Sequence, residues 1–240
     1  MAAGKGLKYD VVGVGANSID FVYRLPAYPT PGDAFAKLPI TDYRISCGGQ
    51  VTTALATCAA MGLTTAYIGT IGSDPHGERM RDELQRRGID TTHALARNAQ
   101  NPFAVILLED REGERVVLWH RGPEVALTPA EINRDAITSA RLVHVDDVDL
   151  EASVEAARIA RAAGKPVTSD IERTTDDVRE LIDTVTIPIF AEHVPVALTG
   201  ESDLPRALER LRQPHHAMLG VTLGARGALL LAGTEVVREP

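Results

Sequence analysis

Short apolar runs alternate along this sequence with segments whose apolar residues recur at helical spacing. Residues 11–15 (VVGVG) have the pattern of a buried strand. Residues 51–61 are apolar at i, i+3 and i+4 intervals and end at Gly62, the pattern of a helix with a C-terminal glycine. Further strands and helices are predicted at 65–69, 78–87, 141–145, 150–163, 166–170, 187–190, 203–211 and, as three short strands, 221–240. This alternation predicts a mostly parallel sheet covered on both faces, a three-layer α/β fold.

Two stretches do not follow the alternation. Residues 23–46 contain four prolines, and residues 103–120 read as two β-rich runs joined by EDREGE, the pattern of a hairpin. We expect both to form a small sheet beside the main one, inserted in a single domain that spans residues 1–240. An appendage of this kind commonly covers a binding site.

Composition narrows the classes of partner. The chain has 240 residues, 44% of them hydrophobic, and its net charge of −8 with a pI near 5.4 argues against binding to nucleic acids and anionic membranes. The first ten residues lack a secretory signal, and no apolar run approaches the roughly 18 residues of a membrane span. Cys47 and Cys58 are too few for a disulfide framework, so we expect a cytoplasmic protein that binds small polar molecules.

Asp20 is the first candidate for ligand chemistry. It ends the segment GANSID after the first strand, which should place its carboxylate just outside the carboxyl end of the sheet, where open α/β folds bind ligands. A carboxylate there can accept hydrogen bonds from two sugar hydroxyls, although a turn or capping aspartate fits the same pattern. Gly48 and Gly49 open the next helix, either to bring backbone N–H groups close to a ligand or to form a tight entry turn.

The segment IGTIGSDPHG, at residues 68–77, joins a strand to a helix. It holds three glycines and an aspartate at fixed offsets. Asp74 followed by Pro75 is the pattern of a helix N-cap with proline at the first helical position. We therefore expect a structural role for Asp74.

Together these stretches resemble the ribokinase-like family of sugar kinases, also called the phosphofructokinase B family. The resemblance covers residues 9–240 and rests on motifs in the family's order: G-x-x-x-x-D at 15–20, GG at 48–49, MGL at 61–63, I-G-x-x-G-x-D-x-x-G at 68–77, GER at 113–115, RG at 121–122, LTG at 198–200, and TLG at 222–224 with Gly227. It implies a Rossmann-like core, a small β-sheet lid and a sugar site between them.

The resemblance also implies two sets of ligand-binding residues. They are, for a ribose-, fructose- or ketohexose-like sugar, Asp20, Gly48, Gly49 and Thr53, and, for ATP with its Mg²⁺, Thr222, Gly224 and Gly227. Members of the family often pair their lid sheets between subunits. In this chain such pairing would form a homodimer and cover Trp119.

Two departures from the family pattern bear on substrate and metal. Thr53 stands where the family usually has asparagine, and a hydroxyl lacks the paired donor and acceptor of an amide, so the preferred sugar stays open. Ala191 and Val194 occupy the asparagine and glutamate positions of an N-x-x-E motif tied to Mg²⁺ and phosphate, and neither can coordinate a hard cation. The histidines show no metal-ligand spacing, so no metal site is assigned to protein side chains.

The catalytic segment of the family is not found in this sequence. In the family a G-A-G-D motif follows the final strand pair and supplies the anion hole and the catalytic base, whereas no G-x-G-D occurs in the 240 residues. We expect the base to lie beyond Pro240 and interpret the chain as C-terminally truncated, with no catalytic residue and negligible kinase activity of its own. Five other aspartates are expected at unrelated points of the fold: Asp74, Asp146, Asp147, Asp149 and Asp170.

Two functions therefore stay open. The chain is, or derives from, an ATP-dependent sugar kinase, or it binds a sugar or nucleotide without transferring phosphate. The coding sequence downstream of residue 240 would separate these alternatives. Truncation would also leave uncovered the apolar residues of the strands at 217–238, namely Leu219, Val221, Leu229 and Leu231.

Overall fold

The computed structural model describes residues 6–32, 37–111 and 113–240. Its strands, in chain order, are β1 (Tyr9–Val14), β2 (Ser18–Leu25), β3 (Asp42–Gly48), β4 (Thr65–Ile68), β5 (Thr70–Gly72), β6 (Leu95–Arg97), β7 (Phe103–Glu109), β8 (Arg115–His120), β9 (Ala140–Asp146), β10 (Val167–Ile171), β11 (Ile187–Ala191), β12 (Leu219–Thr222), β13 (Ala228–Ala232) and β14 (Glu235–Glu239). Its α-helices are α1 (Gln50–Ala60), α2 (Pro75–Arg86), α3 (Arg134–Thr138), α4 (Leu150–Ala162), α5 (Val178–Thr184), α6 (His193–Thr199) and α7 (Leu204–Leu211). The described residues leave out parts of the predicted segments 1–240, 23–46 and 103–120. These parts are residues 1–5, 33–36 and 112.

Eight strands form the larger sheet, in the spatial order β14-β13-β12-β11-β10-β9-β1-β4. The strands from β4 to β12 in this order are parallel, whereas β13 and β14 are antiparallel to their neighbours. Helices pack on both faces, so the predicted α/β class is confirmed. Among the described residues the longest helix, α4, has 13 residues, and no helix is long and apolar enough to cross a bilayer.

Local signals account for most helix ends. Asp74 caps α2, because its Oδ1 accepts the Gly77 N–H at 3.0 Å, and the N-cap prediction is confirmed. Helix α6 was not predicted. Pro195 lies in its first turn, where proline's missing N–H removes no helical hydrogen bond, and Gly200 ends the helix in a left-handed conformation.

Four strands form the smaller sheet, called here the lid, in the order β3-β2-β7-β8. The central pair, β2 and β7, is parallel, and each outer strand is antiparallel to its neighbour. The lid begins at Ser18 and not at residue 23, because Ile19 and Phe21 already alternate toward an apolar core while Asp20 lies on the other side of the strand. Asp20 therefore belongs to the first lid strand, which begins three residues after β1.

The larger sheet has two unlike faces. The covered face packs against α3–α7 in one continuous apolar core. On the other face, called here the open face, α1 lies over β1, β4 and β9. Ile187, Ile189 and Leu230, on the part of the open face beyond β9, are half-buried and belong to neither core of the described residues.

The expected exposure of the C-terminal strands is wrong. The residues expected to be open to water are at most 1% exposed: Leu219, Val221, Leu229 and Leu231. They lie on the covered face, in the same core as Leu198 of α6 and Leu208 of α7. The half-buried residues of these strands occupy the alternate positions, whose side chains lie on the open face.

Candidate functional site

The two predicted ligand sets lie along one edge of the larger sheet. The strands β1, β9 and β12 are parallel, so their carboxyl ends at Val14, Asp146 and Thr222 are on the same edge. Only residues 15–17 separate β1 from β2, so the lid also leaves the core at this edge. This is the edge at which parallel α/β sheets bind ligands.

The carboxylate of Asp20 is fixed within the lid. Its Oδ1 accepts the Ser18 hydroxyl at 2.7 Å, and the side chain is half-buried. Its Oδ2 lies against Gly48, because a β-carbon at Gly48 would be only 2.1 Å from that oxygen. Gly48 is therefore required for the position of Asp20, and these two predicted residues are in direct contact.

Gly49 brings the start of α1 against the turn that precedes the lid. Its φ is +102°, in the region that favours glycine, and a β-carbon there would lie 2.6 Å from Asn17 Cα and 2.8 Å from the Ala16 carbonyl oxygen. No side chain caps α1. The glycine pair therefore joins the 15–20 segment to a helix N-terminus whose first N–H groups have no side-chain cap.

Thr53 lies apart from Asp20. It is exposed on α1 and lines a groove of about 320 Å³ between α1 and α2, together with Cys47, Glu83 and Arg87. Cys47 and Ser46 are neighbours on β3, so their side chains point to opposite sides of the sheet. Ser46 is paired with Asp20 and lies on the same side as its carboxylate. The groove is thus on the opposite side of β3 from the Asp20 carboxylate.

A buried polar network holds the points at which the lid joins the core. Asn17, just before β2, is 2% exposed, and Asn101, just before β7, is fully buried. The Asn101 amide donates to Asn17 Oδ1 at 2.9 Å, the Asn17 amide donates to Tyr67 Oη at 3.1 Å, and Tyr67 donates to the Gly15 carbonyl at 2.9 Å. Burial raises the pKa of Tyr67, which keeps its hydroxyl a donor. The two central lid strands, β2 and β7, therefore start from a common anchor.

Asp146 supports the same turn from the core, and the expectation that it lies at an unrelated point is wrong. It is fully buried, and its carboxylate accepts the backbone N–H groups of Ala16 at 2.8 Å and Val148 at 3.1 Å. Burial raises its pKa to about 7, with a further increase from the nearby charges of Asp147 and Asp149. An aspartate at the carboxyl end of a buried parallel strand was the available sequence signal.

Arg121 anchors the far end of the lid. It follows β8 directly, and its guanidinium lies 2.6 Å from Asp149 Oδ2 and also donates to the Val125 carbonyl at 2.8 Å. The side chains of Arg121 and Asp149 are only 17% and 6% exposed. Removal of one partner from so buried a pair would leave an uncompensated charge, so loss of either residue should destabilise the attachment of the lid.

The predicted nucleotide residues surround the turn after β12. Thr222 is exposed at the carboxyl end of the strand, and its hydroxyl is 3.4 Å from the Phe190 carbonyl oxygen. Gly224 has a φ of +58° and open space where a β-carbon would be, whereas a β-carbon at Gly227 would lie only 1.8 Å from the Glu239 carbonyl oxygen. Gly224 therefore leaves room for a ligand, and Gly227 makes room for the chain's own last strand.

The positions of the missing N-x-x-E motif do not provide metal ligands. Ala191 ends β11, and Val194 is fully buried in α6. Within residues 6–32, 37–111 and 113–240, no three His, Cys, Asp or Glu side chains are grouped to hold a metal ion. A metal ion at this edge would need ligands other than a cluster of these side chains.

Comparison with known proteins shows what the chain is similar to. The family model described as pfkB family carbohydrate kinase matches residues 13–240. The chain is 26% identical to a nucleoside kinase of Methanothermobacter thermautotrophicus, over 67% of this chain and 51% of that protein. It is 29% identical to an ATP-dependent ribose-1-phosphate kinase of Halopiger xanaduensis, over 70% of this chain and 55% of that protein. The chain thus spans about half the length of these curated relatives.

A solved structure extends the likeness to the fold. The ribokinase of Arabidopsis thaliana, complexed with ribose and ATP, superposes with a TM-score of 0.77, covering 96% of this chain and 77% of that one. Its sequence identity is 20%. At this identity the likeness concerns the arrangement of the two sheets and their helices.

Proposed function

The chain belongs to the pfkB family of carbohydrate kinases, and we propose that it takes part in the ATP-dependent phosphorylation of a sugar hydroxyl. The proposed substrate is ribose-, fructose- or ketohexose-like. The observation that carries the proposal is the carboxylate of Asp20, which is held by Ser18 and Gly48 on a lid strand that starts at the ligand-binding edge.

Asp20 is suited to bind a pair of hydroxyls. One hydrogen bond, from Ser18, is already made, and an ionised carboxylate can accept about four in all. Two neighbouring hydroxyls of a sugar can therefore share the remaining acceptor sites. Gly48 and Gly49 complete the proposed sugar site by supporting the carboxylate and the turn. Thr53 lines the groove on the other side of β3 and would contact a ligand only from that groove.

The proposed nucleotide site is the turn after β12. Thr222 and Gly224 offer an exposed hydroxyl and open space, and Gly227 keeps the adjacent strands close together. We expect Mg²⁺ to arrive on the phosphates of ATP, since no side-chain cluster for it exists among the described residues. Bound there, the ion would neutralise charge on the transferred phosphoryl group.

The proposal also includes a homodimer formed through the lid. β8 is an edge strand, and all six of its residues are exposed. Such an edge offers unpaired backbone groups to a second chain. A cytoplasmic location belongs to the same proposal and is supported by the free thiols of Cys47 and Cys58.

A second candidate function is binding of the sugar or nucleotide without phosphate transfer. It is favoured by Ala191 and Val194, which stand where potential ligands are expected. A coupled ADP-release assay separates the two candidates. Sugar-dependent ADP release well above that of Asp20→Ala supports the kinase, and calorimetric sugar binding without such release supports the second candidate.

The sugar site is tested by Asp20→Asn. We expect this change to weaken calorimetrically measured sugar affinity about tenfold, because a charged acceptor contributes about 1.5–3 kcal/mol to a hydrogen-bonded contact. Asp42→Asn is the matched control, since Asp42 is exposed at the start of a lid strand. Unchanged affinity in Asp20→Asn would place the sugar site elsewhere.

A further inference from the structure

The two oxygens of the Asp146 carboxylate hold the two ends of the lid. Oδ2 accepts the backbone N–H of Ala16 at 2.8 Å, in the turn from which β2 starts. Oδ1 accepts the backbone N–H of Val148 at 3.1 Å, and the next residue, Asp149, binds the Arg121 guanidinium that follows β8. One buried side chain is therefore linked both to the start of the lid and to its far end.

The carboxylate also packs directly against the backbone of the turn before β2. A β-carbon at Gly15 would lie only 2.3 Å from Asp146 Oδ2, so a larger residue there would displace the carboxylate. Gly15 and Asp20 are the two fixed residues of the G-x-x-x-x-D segment. Because β2 starts at Ser18, directly after this turn, a shift of the turn would also move Asp20.

Other hydrogen bonds of the same turn come from uncharged side chains. The Tyr67 hydroxyl donates to the Gly15 carbonyl at 2.9 Å, and the Asn17 amide donates to the Thr70 carbonyl at 2.7 Å. Burial raises the pKa of Tyr67, so its hydroxyl keeps its proton in neutral solution. Of these contacts, only the one to Asp146 involves a group that changes its charge near neutral pH.

The two protonation states of Asp146 differ in what they can hold. Asp146 is fully buried, and burial raises its pKa to about 7, so both states are populated in neutral solution. In the ionised state both oxygens accept hydrogen bonds without restriction, whereas in the protonated state one of them carries the proton. Protonation therefore weakens the contact to Ala16 or to Val148 and loosens one end of the lid.

We propose that Asp146 is a positioning residue whose ionised carboxylate holds both ends of the lid in the arrangement that binds the sugar. This inference rests on the proposed function, because it takes Asp20 as the sugar-binding carboxylate. Sugar affinity then rises as the pH rises and Asp146 loses its proton. Folding responds in the opposite direction, since the buried charge lowers the free energy of unfolding.

Asp146 has ionisable neighbours that a test must separate from it. Asp147 and Asp149 belong to its own segment, and Asp170 is paired with it on β10. Burial raises the pKa of Asp170 to about 6, with further contributions from the charges of Glu172 and Asp147, so Asp170 also titrates near neutral pH. The other charged or ionisable side chains on the surrounding elements are Tyr67 on β4, Arg121 after β8, His144 on β9, and Glu172 and Arg173 after β10.

The pH dependence of sugar binding provides the main test. The Kd values of D-ribose and D-fructose are measured by calorimetry at pH 6, 7 and 8 and at constant ionic strength. In the wild-type chain the affinity should rise about five- to tenfold from pH 6 to pH 8, because the ionised fraction of Asp146 rises from about one tenth to about nine tenths. In Asp146→Asn it should change less than about twofold. Asp170→Asn and Asp42→Asn are the controls and should follow the wild-type profile.

Proton release by the wild-type chain tests the same point without a substitution, in case Asp146→Asn does not fold. Sugar is titrated at pH 7 in phosphate and in Tris, two buffers with different heats of ionisation. The difference between the two binding heats gives the number of protons released. We expect release of about half a proton for each sugar bound, because about half of the free chains carry a protonated Asp146 at this pH.

The outcomes distinguish this inference from the function on which it rests. If Asp20→Asn weakens sugar binding but Asp146→Asn keeps the wild-type pH profile, or if the wild-type chain releases no proton, the role of Asp146 is wrong and the proposed function stands. If Asp170→Asn alone removes the pH dependence, the inference is overturned in favour of Asp170. If neither sugar binds the wild-type chain, the proposed function and the inference are both wrong.

Discussion

The covered and open faces of the larger sheet are made by the same strands but pack against different surroundings. On β11, Phe190 is fully buried on the covered face, whereas its neighbour Ile189 is half-buried on the open face. On β13, Leu229 and Leu230 differ in the same way. Both faces are apolar at these positions, so hydrophobicity alone does not decide which face forms the core; the helices that pack there do.

The open face also carries polar groups toward the carboxyl ends of its parallel strands. His144 Nδ1 is 2.9 Å from the Thr168 hydroxyl, and burial lowers the pKa of His144 to about 4. Asp170 lies on the same face, and burial raises its pKa to about 6, with further contributions from the charges of Glu172 and Asp147. The covered face thus provides most of the apolar burial, and the open face holds ionisable groups in a partly shielded environment.

The sharpest test of this comparison substitutes neighbouring residues on β11. Phe190→Ala should lower the free energy of unfolding by about 3–5 kcal/mol, because it leaves a cavity in a closely packed core. Ile189→Ala should cost about 1 kcal/mol, since its side chain is only half-buried and leaves no enclosed cavity. Urea unfolding followed by circular dichroism measures both values.

The ratio of the two costs is the decisive quantity. Both substitutions remove side chains from adjacent positions of one strand, so effects on strand propensity are similar. Equal losses would show that the open face is packed as tightly as the covered one and would remove the basis of the comparison.

Asp146 tests the electrostatic side of the comparison. Its pKa is raised to about 7 in the folded chain, against about 3.9 when unfolded, so its contribution to stability is full below about pH 4 and is lost as the pH rises through 7. Between pH 5 and 8 the wild-type free energy of unfolding should therefore fall by about 2 kcal/mol more than that of Asp146→Asn. The measurement is urea unfolding at several pH values.

The pH slope separates this effect from simple loss of a hydrogen bond. Asparagine has one carbonyl acceptor, as the protonated carboxyl of Asp146 does, so the hydrogen bonds from Ala16 and Val148 should cause little difference between the two chains at low pH. Parallel pH profiles for the two chains would contradict a raised pKa, and Asp42→Asn, an exposed aspartate, should follow the wild-type profile.

Local patterns predicted most of the strands and helices in their order, although not α6, and they failed where a long-range contact decides the structure. Asp74 could be assigned as a cap because cap and proline are adjacent. The stretch ALLLA of β13 has no alternation, so the sequence did not indicate that Leu229 and Leu231 would face the helices.

The candidate site shows the same limit. Asp20 and Gly48 could be singled out from their motifs, but their contact arises from the pairing of two lid strands. Asn17 and Asn101 are 84 residues apart and meet only because two lid strands start from one anchor. No spacing rule within one segment predicts such a pair.

The smallest expected effect concerns the edge of the sheet and refines what the covered face protects. The side chains of β12 and β13 that face α6 and α7 are buried, so backbone amides of both strands should exchange with solvent slowly, at rates close to those of β11. β14 pairs with β13 alone, and four of its five residues are exposed, so its amides should exchange faster than those of β12 and β13.

Hydrogen exchange with mass-spectrometric readout resolves peptides of this length. A steep rise in protection from β14 to β12 is expected, because the covered face protects the backbone strand by strand from the edge inward. Uniformly fast exchange across residues 219–239 would show that burial of Leu219, Val221, Leu229 and Leu231 does not stabilise this part of the sheet, and the two faces would then be equivalent there.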